Sequence, residues 1–324
     1  MSQPLYHHLK NDRGFDAVDV LAPAWTEPLL ARMPAVRRAI AMPLGHGEFG
    51  FWRRRQLGRA LREEGYTQAI VLPNSWKSAL VPAFAGISRR SGWRGEFRHG
   101  LLNDLRYLDE AALPLMVQRF LALGLDATAP VPTAVAPRLQ VSAAGAAAVA
   151  ARFGIDSGRP LLALAPGAEF GPAKCWPSAY FAEVAGHYRD RGWQVALFGS
   201  ANDVAVCEDI SEQIGASHDL AGRTTLAEAV DLLSLAGAVV SNDSGLMHIA
   251  AALGRPMAAV FGATSPGFTP PLDANASVLH SDLECAPCFQ RTCPLGHHRC
   301  MQEQTPDRVI SALDTRLAAA GQAR

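Results

Sequence analysis

From residue 161 onward, short apolar β-forming runs alternate with stretches of helical spacing, and this alternation restricts the chain to an α/β architecture. Residues 161–165, 193–198, 238–241 and 256–261 read as strands. Residues 177–191, 203–214, 226–236 and 245–253 read as helices between them. Strands joined by helices must lie parallel, because each crossover returns the chain to the same edge, and such sheets bind ligands at their carboxyl ends. The first half repeats the pattern more loosely, with strand-like runs at 18–22 and 69–73 and helical spacing at 53–64 and 114–123. It opens on a helix-like stretch, residues 4–10, before its first strand near Val18. The Ala/Pro-rich stretch 127–138 breaks the rhythm and reads as an interdomain linker. The expected organisation is therefore a first domain at 1–138, a second at 139–305, and a final helical segment at 306–324 with either domain open to it as a packing partner.

Composition narrows the classes. A chain of 324 residues suits two domains, and 49% hydrophobic against 19% charged residues supplies cores that a disordered chain lacks. Lys+Arg and Asp+Glu both number 30, so no global field draws the chain to nucleic acid. No apolar run approaches the roughly 20 residues of a membrane span. With no apolar export signal at the start, a cytoplasmic setting is expected, and the six Cys read as reduced thiols or ligands.

Two loops carry the strongest chemistry. An apolar strand ends in Ser241-Asn242-Asp243-Ser244-Gly245-Leu246-Met247-His248, and a small-residue helix starts at once. Asp243 or Ser244 can cap that helix, Gly245 admits a ligand close to the backbone, and the free N–H groups favour a phosphate. His248, one turn in, can aim at the same anion. On these residues alone an ordinary capped turn with His248 in the core is an equal reading. The second loop, residues 165–177, holds Gly167 and a single Lys174, which the sheet would bring to the same carboxyl edge. A mobile ammonium there can neutralise a departing pyrophosphate. Gly199-Ser200 with Asp203, and Gly222-Arg223-Thr224-Thr225, are weaker candidates made of common turn residues.

Cys285, Cys288, Cys293 and Cys300 fall within sixteen residues that also contain His297 and His298. The Cys-x-x-Cys pair suits tetrahedral zinc or a cluster; packed thiols or a redox-sensitive loop explain the set as well. In the first half, Lys77, Trp93 and Arg94 lie in loop-like, basic and aromatic stretches that suit an anionic acceptor, or plain solvated loops. The helix at 53–64 is basic on part of its surface. Such a face is ordinarily solvated, and it also suits anionic lipid head groups.

These motifs resemble the lipopolysaccharide heptosyltransferase family, glycosyltransferase family 9. The resemblance rests on Ser241 to His248, on Gly262-Ala263-Thr264-Ser265-Pro266 and on Phe268-Thr269-Pro270-Pro271. The loop Pro166 to Lys174, Leu44-Gly45-His46-Gly47, Leu72 to Leu80 and Gly92-Trp93-Arg94-Gly95 are similar to the heptosyltransferase II branch. The resemblance implies a GT-B fold, two Rossmann-like doubly wound domains with an interdomain cleft. It implies inverting transfer of heptose from ADP-heptose to the inner-core heptose of heptosyl-Kdo₂-lipid A, with no further cofactor, at the cytoplasmic face of the inner membrane and with peripheral membrane contact. Lys174 would bind donor phosphates; Asp243, Ser244, Gly245 and His248 would hold the ribose-pyrophosphate portion, with Gly167 and Thr225 lining the same donor site. Two departures follow. The family opens with a strand and a Trp-Val-Gly-Asp turn whose Asp is the proposed general base, whereas Met1-Ser2-Gln3 aligns inside the first helix; the first strand and the base are thus expected upstream of Met1. Cys175 stands where a basic residue is expected. A different inner-core transferase, or a donor-binding protein impaired in catalysis, are the competing expectations.

Overall fold

The computed structural model describes residues 1–45 and 47–321, so His46 of the Leu44–Gly47 motif lies outside the described residues. The chain forms two compact units, Met1–Val135 and Ala136–Arg324, and the boundary falls within the Pro-rich stretch.

The second unit carries the stronger sheet. Its strands are β6 (Leu161–Ala165), β7 (Gln194–Leu197), β8 (His218–Asp219), β9 (Ala238–Asn242), β10 (Met257–Val260) and β11 (Ala276–Leu279). All pairs are parallel, in the order β11-β10-β9-β6-β7-β8. Renumbered from β6 this is 3-2-1-4-5-6 read from the β8 edge, the doubly wound order of dinucleotide-binding sheets. Every residue of β6, β7, β9 and β10 is buried, which explains why these strands are continuous apolar runs: helices cover both faces. The core joins Leu162, Leu164, Val195, Val240 and Val260 to Phe181 and Tyr188 from helix Ser178–Arg189. The final helix, Pro306–Ala319, for which the sequence left the first domain open as a partner, places Val309, Leu313 and Leu317 in this same core. Its polar side is tied down as well, since Tyr188 donates its hydroxyl hydrogen to Asp314 at 2.7 Å. The two-residue β8, the edge strand β11 and the Ala-rich helix Ala143–Arg152 are additions to the sequence reading.

The first unit holds a parallel pair, β1 (Asp19–Pro23) with β2 (Arg38–Met42), and a parallel three-stranded sheet, β3 (Gln68–Val71), β4 (Arg89–Trp93) and β5 (Asp104–Arg106). Its opening helix Gln3–His7 runs into one π-helical turn, His8–Asp12, and precedes β1. Leu5 of that helix is buried and so close to Gly124 that a Cβ there would meet its side chain at 2.5 Å.

Strand β4 corrects the sequence reading. The stretch beginning at Ser91 was expected to be a basic loop, yet Ser91, Gly92 and Trp93 are buried strand residues. Their strand character is masked by Arg89 and Arg90, whose charged ends leave the sheet: Arg89 reaches Asp104 at 3.3 Å, and Arg90 donates to the Leu101 carbonyl at 2.6 Å. Among the described residues no helix is long and apolar enough to cross a membrane.

Candidate active site at the switch point of the second sheet

Strands β6 and β9 are neighbours, but their following connections wind to opposite sides, so a crevice opens beyond their carboxyl ends. The register sets Ala165 opposite Ser241, and the two loops richest in candidate residues therefore leave the sheet side by side. Asn242, the last residue of β9, ties them together. Its amide donates to the Pro166 carbonyl at 2.5 Å and its oxygen accepts the Trp176 N–H at 3.1 Å. Trp176, fully buried, anchors the far end of the β6 loop and donates its indole N–H to the Gln304 carbonyl.

Within this frame Lys174 meets Asp243. The ammonium lies 2.6 Å from Asp243 Oδ2, and the Thr264 hydroxyl donates to the same oxygen at 2.6 Å. Lys174 and Asp243 side chains are 13% and 7% exposed, so the pair is largely withdrawn from water. An ammonium has three donor hydrogens, and the carboxylate uses one. The rest remain for an anion. Lys174 also sits 5.0 Å from the centre of the Phe170 ring, which Arg291 approaches at 5.8 Å.

The turn after Asp243 starts helix Gly245–Ala252. Ser244 resolves the choice of cap: its backbone is extended and its hydroxyl accepts the Met247 N–H at 3.4 Å, leaving Asp243 for the ion pair. A Cβ built on Gly245 would meet nothing within 4 Å, so the first helical turn is open to a ligand. The free N–H groups of that turn carry partial positive charge. His248 stands one turn in. Burial pushes its imidazole down to about 4, Asp243 opposing this and Lys174 adding to it. At neutral pH it is an uncharged hydrogen-bonding group.

The remaining expected residues divide. Gly167 is required by close packing, since a Cβ there would collide with the Asp203 carboxylate. Thr225 is exposed and spends its hydroxyl on the Glu228 N–H at 3.3 Å, while Glu228 accepts the Thr225 N–H at 2.7 Å, a reciprocal cap of helix Leu226–Leu233. Cys175, in the place of an expected basic residue, is half-buried and turns its sulfur toward the Gly171 carbonyl. In the first unit, Lys77 and Arg94 are at the surface: Lys77 reaches the Gly47 carbonyl at 3.3 Å and Arg94 stacks over Tyr107. Trp93 differs. It is 7% exposed, packs with Leu113 and Leu123, and donates its indole N–H to the Arg119 carbonyl at 3.1 Å, so it is a core residue.

Residues 54–299 match the model of glycosyltransferase family 9 (heptosyltransferase). The chain belongs to this family. Lipopolysaccharide heptosyltransferase 2 of Escherichia coli K12 is 48% identical over 98% of this chain and 94% of its own length. Lipooligosaccharide heptosyltransferase 2 of Haemophilus influenzae is 44% identical over 98% and 95%. Among solved structures, E. coli ADP-heptose lps heptosyltransferase II superposes with a TM-score of 0.86 at 45% identity, covering 99% of this chain and 95% of that one. E. coli heptosyltransferase WaaC with ADP shares the fold at 19% identity, with a TM-score of 0.71 and coverage of 97% and 95%. The expected GT-B class thus stands, and the chain is a family 9 glycosyltransferase.

Sequence reasoning reached Lys174, Asp243, Ser244 and His248 of this candidate site. It cited Thr264 and Asn242 only as motif letters. Thr264 follows β10, the strand beside β9, so its place at the same sheet edge was the available signal.

Proposed function

We propose that the chain transfers L-glycero-D-manno-heptose from ADP-heptose to the first heptose of the lipopolysaccharide inner core. The observation that carries this reading is the Lys174–Asp243–Thr264 cluster at the switch point, beside an open helix N-terminus. Full-length similarity to relatives named heptosyltransferase 2 supports the choice of sugar and acceptor.

In this scheme the donor diphosphate lies across the N-terminus of helix Gly245–Ala252. The acceptor hydroxyl oxygen attacks the anomeric carbon from the face opposite ADP and gives up its proton to water or to a general base. The bond from that carbon to the phosphate oxygen breaks, its electron pair leaves with ADP, and the anomeric configuration inverts. Negative charge grows on the diphosphate as the bond breaks. Lys174, held in place by Asp243, meets that charge, and the helix N–H groups add to it. His248, neutral, donates a single hydrogen bond. The scheme calls on no cofactor beyond the donor substrate. Lys77, half-buried, and Arg94, exposed, are the acceptor-side candidates; Trp93 shapes the strand that presents Arg94. An acceptor built on lipid A puts the reaction at the cytoplasmic face of the inner membrane. There the exposed Trp52 and Arg53 of helix Phe51–Arg62 suit peripheral contact.

Calorimetric titration with ADP-heptose, set against UDP-glucose and ADP alone, tests the donor assignment. ADP-heptose should bind most tightly, and Lys174→Met should weaken it. Equal or tighter binding of UDP-glucose would point to a different inner-core sugar transferase.

A further inference from the structure

The segment between β11 and helix Pro306–Ala319 plays no part in the transfer scheme, yet it holds four of the six cysteines. Cys285, Cys288, Cys293 and Cys300 all line one cavity of about 20 Å³, together with Ala173, Ala263, His297 and His298. All four are free thiols. Cys207, by contrast, is a fully buried thiol of the apolar core. Simple packing explains Cys207. It does not explain four half-buried cysteines lining one void in a segment without sheet structure.

The backbone turns tightly at Cys293, whose carbonyl accepts the Gly296 N–H at 3.2 Å. His298 takes a left-handed conformation, φ 49°, to bring the short helix Arg299–Gln302 and Cys300 back onto the cavity. His297 is already committed, its Nδ1 accepting the Arg299 N–H at 3.0 Å. The four thiols, with His298 beside them on the cavity wall, are the remaining donors.

We propose that Cys285, Cys288, Cys293 and Cys300 form a tetrathiolate site for one thiophilic divalent cation, with zinc the expected ion. Four sulfurs about 2.3 Å from a tetrahedral ion form the ordinary structural zinc set. A single water-sized probe needs roughly 10–15 Å³, so a void of this size has room for one ion. Among the described residues no three His, Cys, Asp or Glu side chains are grouped for metal binding, so occupancy requires the thiols to turn inward into the cavity. The site is structural: with four protein ligands it leaves no open position for chemistry.

Its position gives it a consequence. Ala173 and Ala263, on the cavity wall, directly precede Lys174 and Thr264. The Ala173 N–H donates to the Arg291 carbonyl at 3.0 Å, and the Phe289 N–H to the Ala263 carbonyl at 2.7 Å. A bound ion therefore rigidifies the backing of both loops that meet at Asp243.

The test is element analysis of the full chain, purified under reducing conditions without chelator and then exposed to excess Zn(II) and desalted. About one ion per chain is expected, as for a closed Cys₄ site. Replacement with Co(II) should give intense sulfur-to-cobalt charge-transfer bands, and the four thiols should resist a chromogenic disulfide reagent until a strong chelator is added. Cys288→Ser and Cys293→Ser should lose the ion, while Cys175→Ser keeps it. One iron per chain in place of zinc, with thiolate charge-transfer absorption, also upholds the tetrathiolate site. Metal retention far below one ion per chain with all four thiols freely reactive would overturn the proposal, as would acid-labile sulfide, which marks a cluster. If the serine variants fail to fold, the cobalt spectrum and thiol protection of the unmodified chain decide it.

Discussion

Lys174 Nζ lies 2.6 Å from Asp243 Oδ2, joining residues 69 positions apart in the chain at the point where the second sheet reverses its winding. The pair has two separable roles. It locks two loops, and it presents an ammonium to whatever anion the helix N-terminus accepts.

Those roles give different signatures. Lys174→Met should leave Asp243 buried with only Thr264 as its partner, at a cost of about 3–5 kcal/mol of stability, as when one partner of a buried ion pair is removed. Turnover should fall about 10²–10³-fold, the scale for removing one preorganised charge stabiliser. Adding Asp243→Asn should restore much of the thermal stability and none of the turnover. Thermal melts and steady-state rates on the single and double variants measure the separation; recovery of both together would show that the pair is only structural.

Ser244→Ala should cost about 1 kcal/mol by removing the N-cap, and Ser244→Gly only a few tenths. Because the capped turn is also the anion site, the Ala variant should raise KM for the donor more than it lowers kcat. Chemical denaturation and donor-dependent kinetics check the two halves of this expectation.

His248 sets a pH dependence with a definite sign. Its folded-state value of about 4 is below the ordinary 6.5, so between those limits the unfolded chain binds the extra proton. The stabilisation is fully present above 6.5 and is lost as the pH falls toward 4. Melting temperatures of the unmodified chain should therefore drop from pH 7.5 to pH 5 by more than those of His248→Gln. Identical slopes for the two proteins would show that His248 does not titrate this way.

Trp93→Phe should lower stability by about 1 kcal/mol through its lost indole hydrogen bond. KM for the acceptor should stay unchanged at a temperature where both proteins are folded. A selective rise in acceptor KM would return Trp93 to the acceptor surface.

The contrast between these residues shows what a sequence makes readable. Lys174 and Asp243 were legible because each follows a buried apolar strand, and parallel strands deliver their loops to a common edge. Their pairing was not read in advance, since both were assigned to the donor. Trp93 was misread because a strand carrying Arg89 and Arg90 lacks an apolar run, and only the partners at Asp104 and Leu101 reveal where those charges go. Arg98 went unused for the same reason. It is 1% exposed and holds the carbonyls of Pro73 and Trp93 together with the Asn74 side chain, and those distant acceptors leave no local pattern. The Asn242 clamp was likewise invisible, since nothing in Ser-Asn-Asp-Ser says that the amide reaches back to Pro166.

The most direct test of the proposed transfer is the mass of the acceptor after reaction. The purified chain is incubated with ADP-heptose and monoheptosyl-Kdo₂-lipid A, and product mass and released ADP are followed together. The account predicts an acceptor heavier by one heptosyl residue, with ADP released in equal amount, and loss of both signals in Lys174→Met. An acceptor of unchanged mass beside demonstrable ADP-heptose binding would contradict it and leave a donor-binding protein in its place.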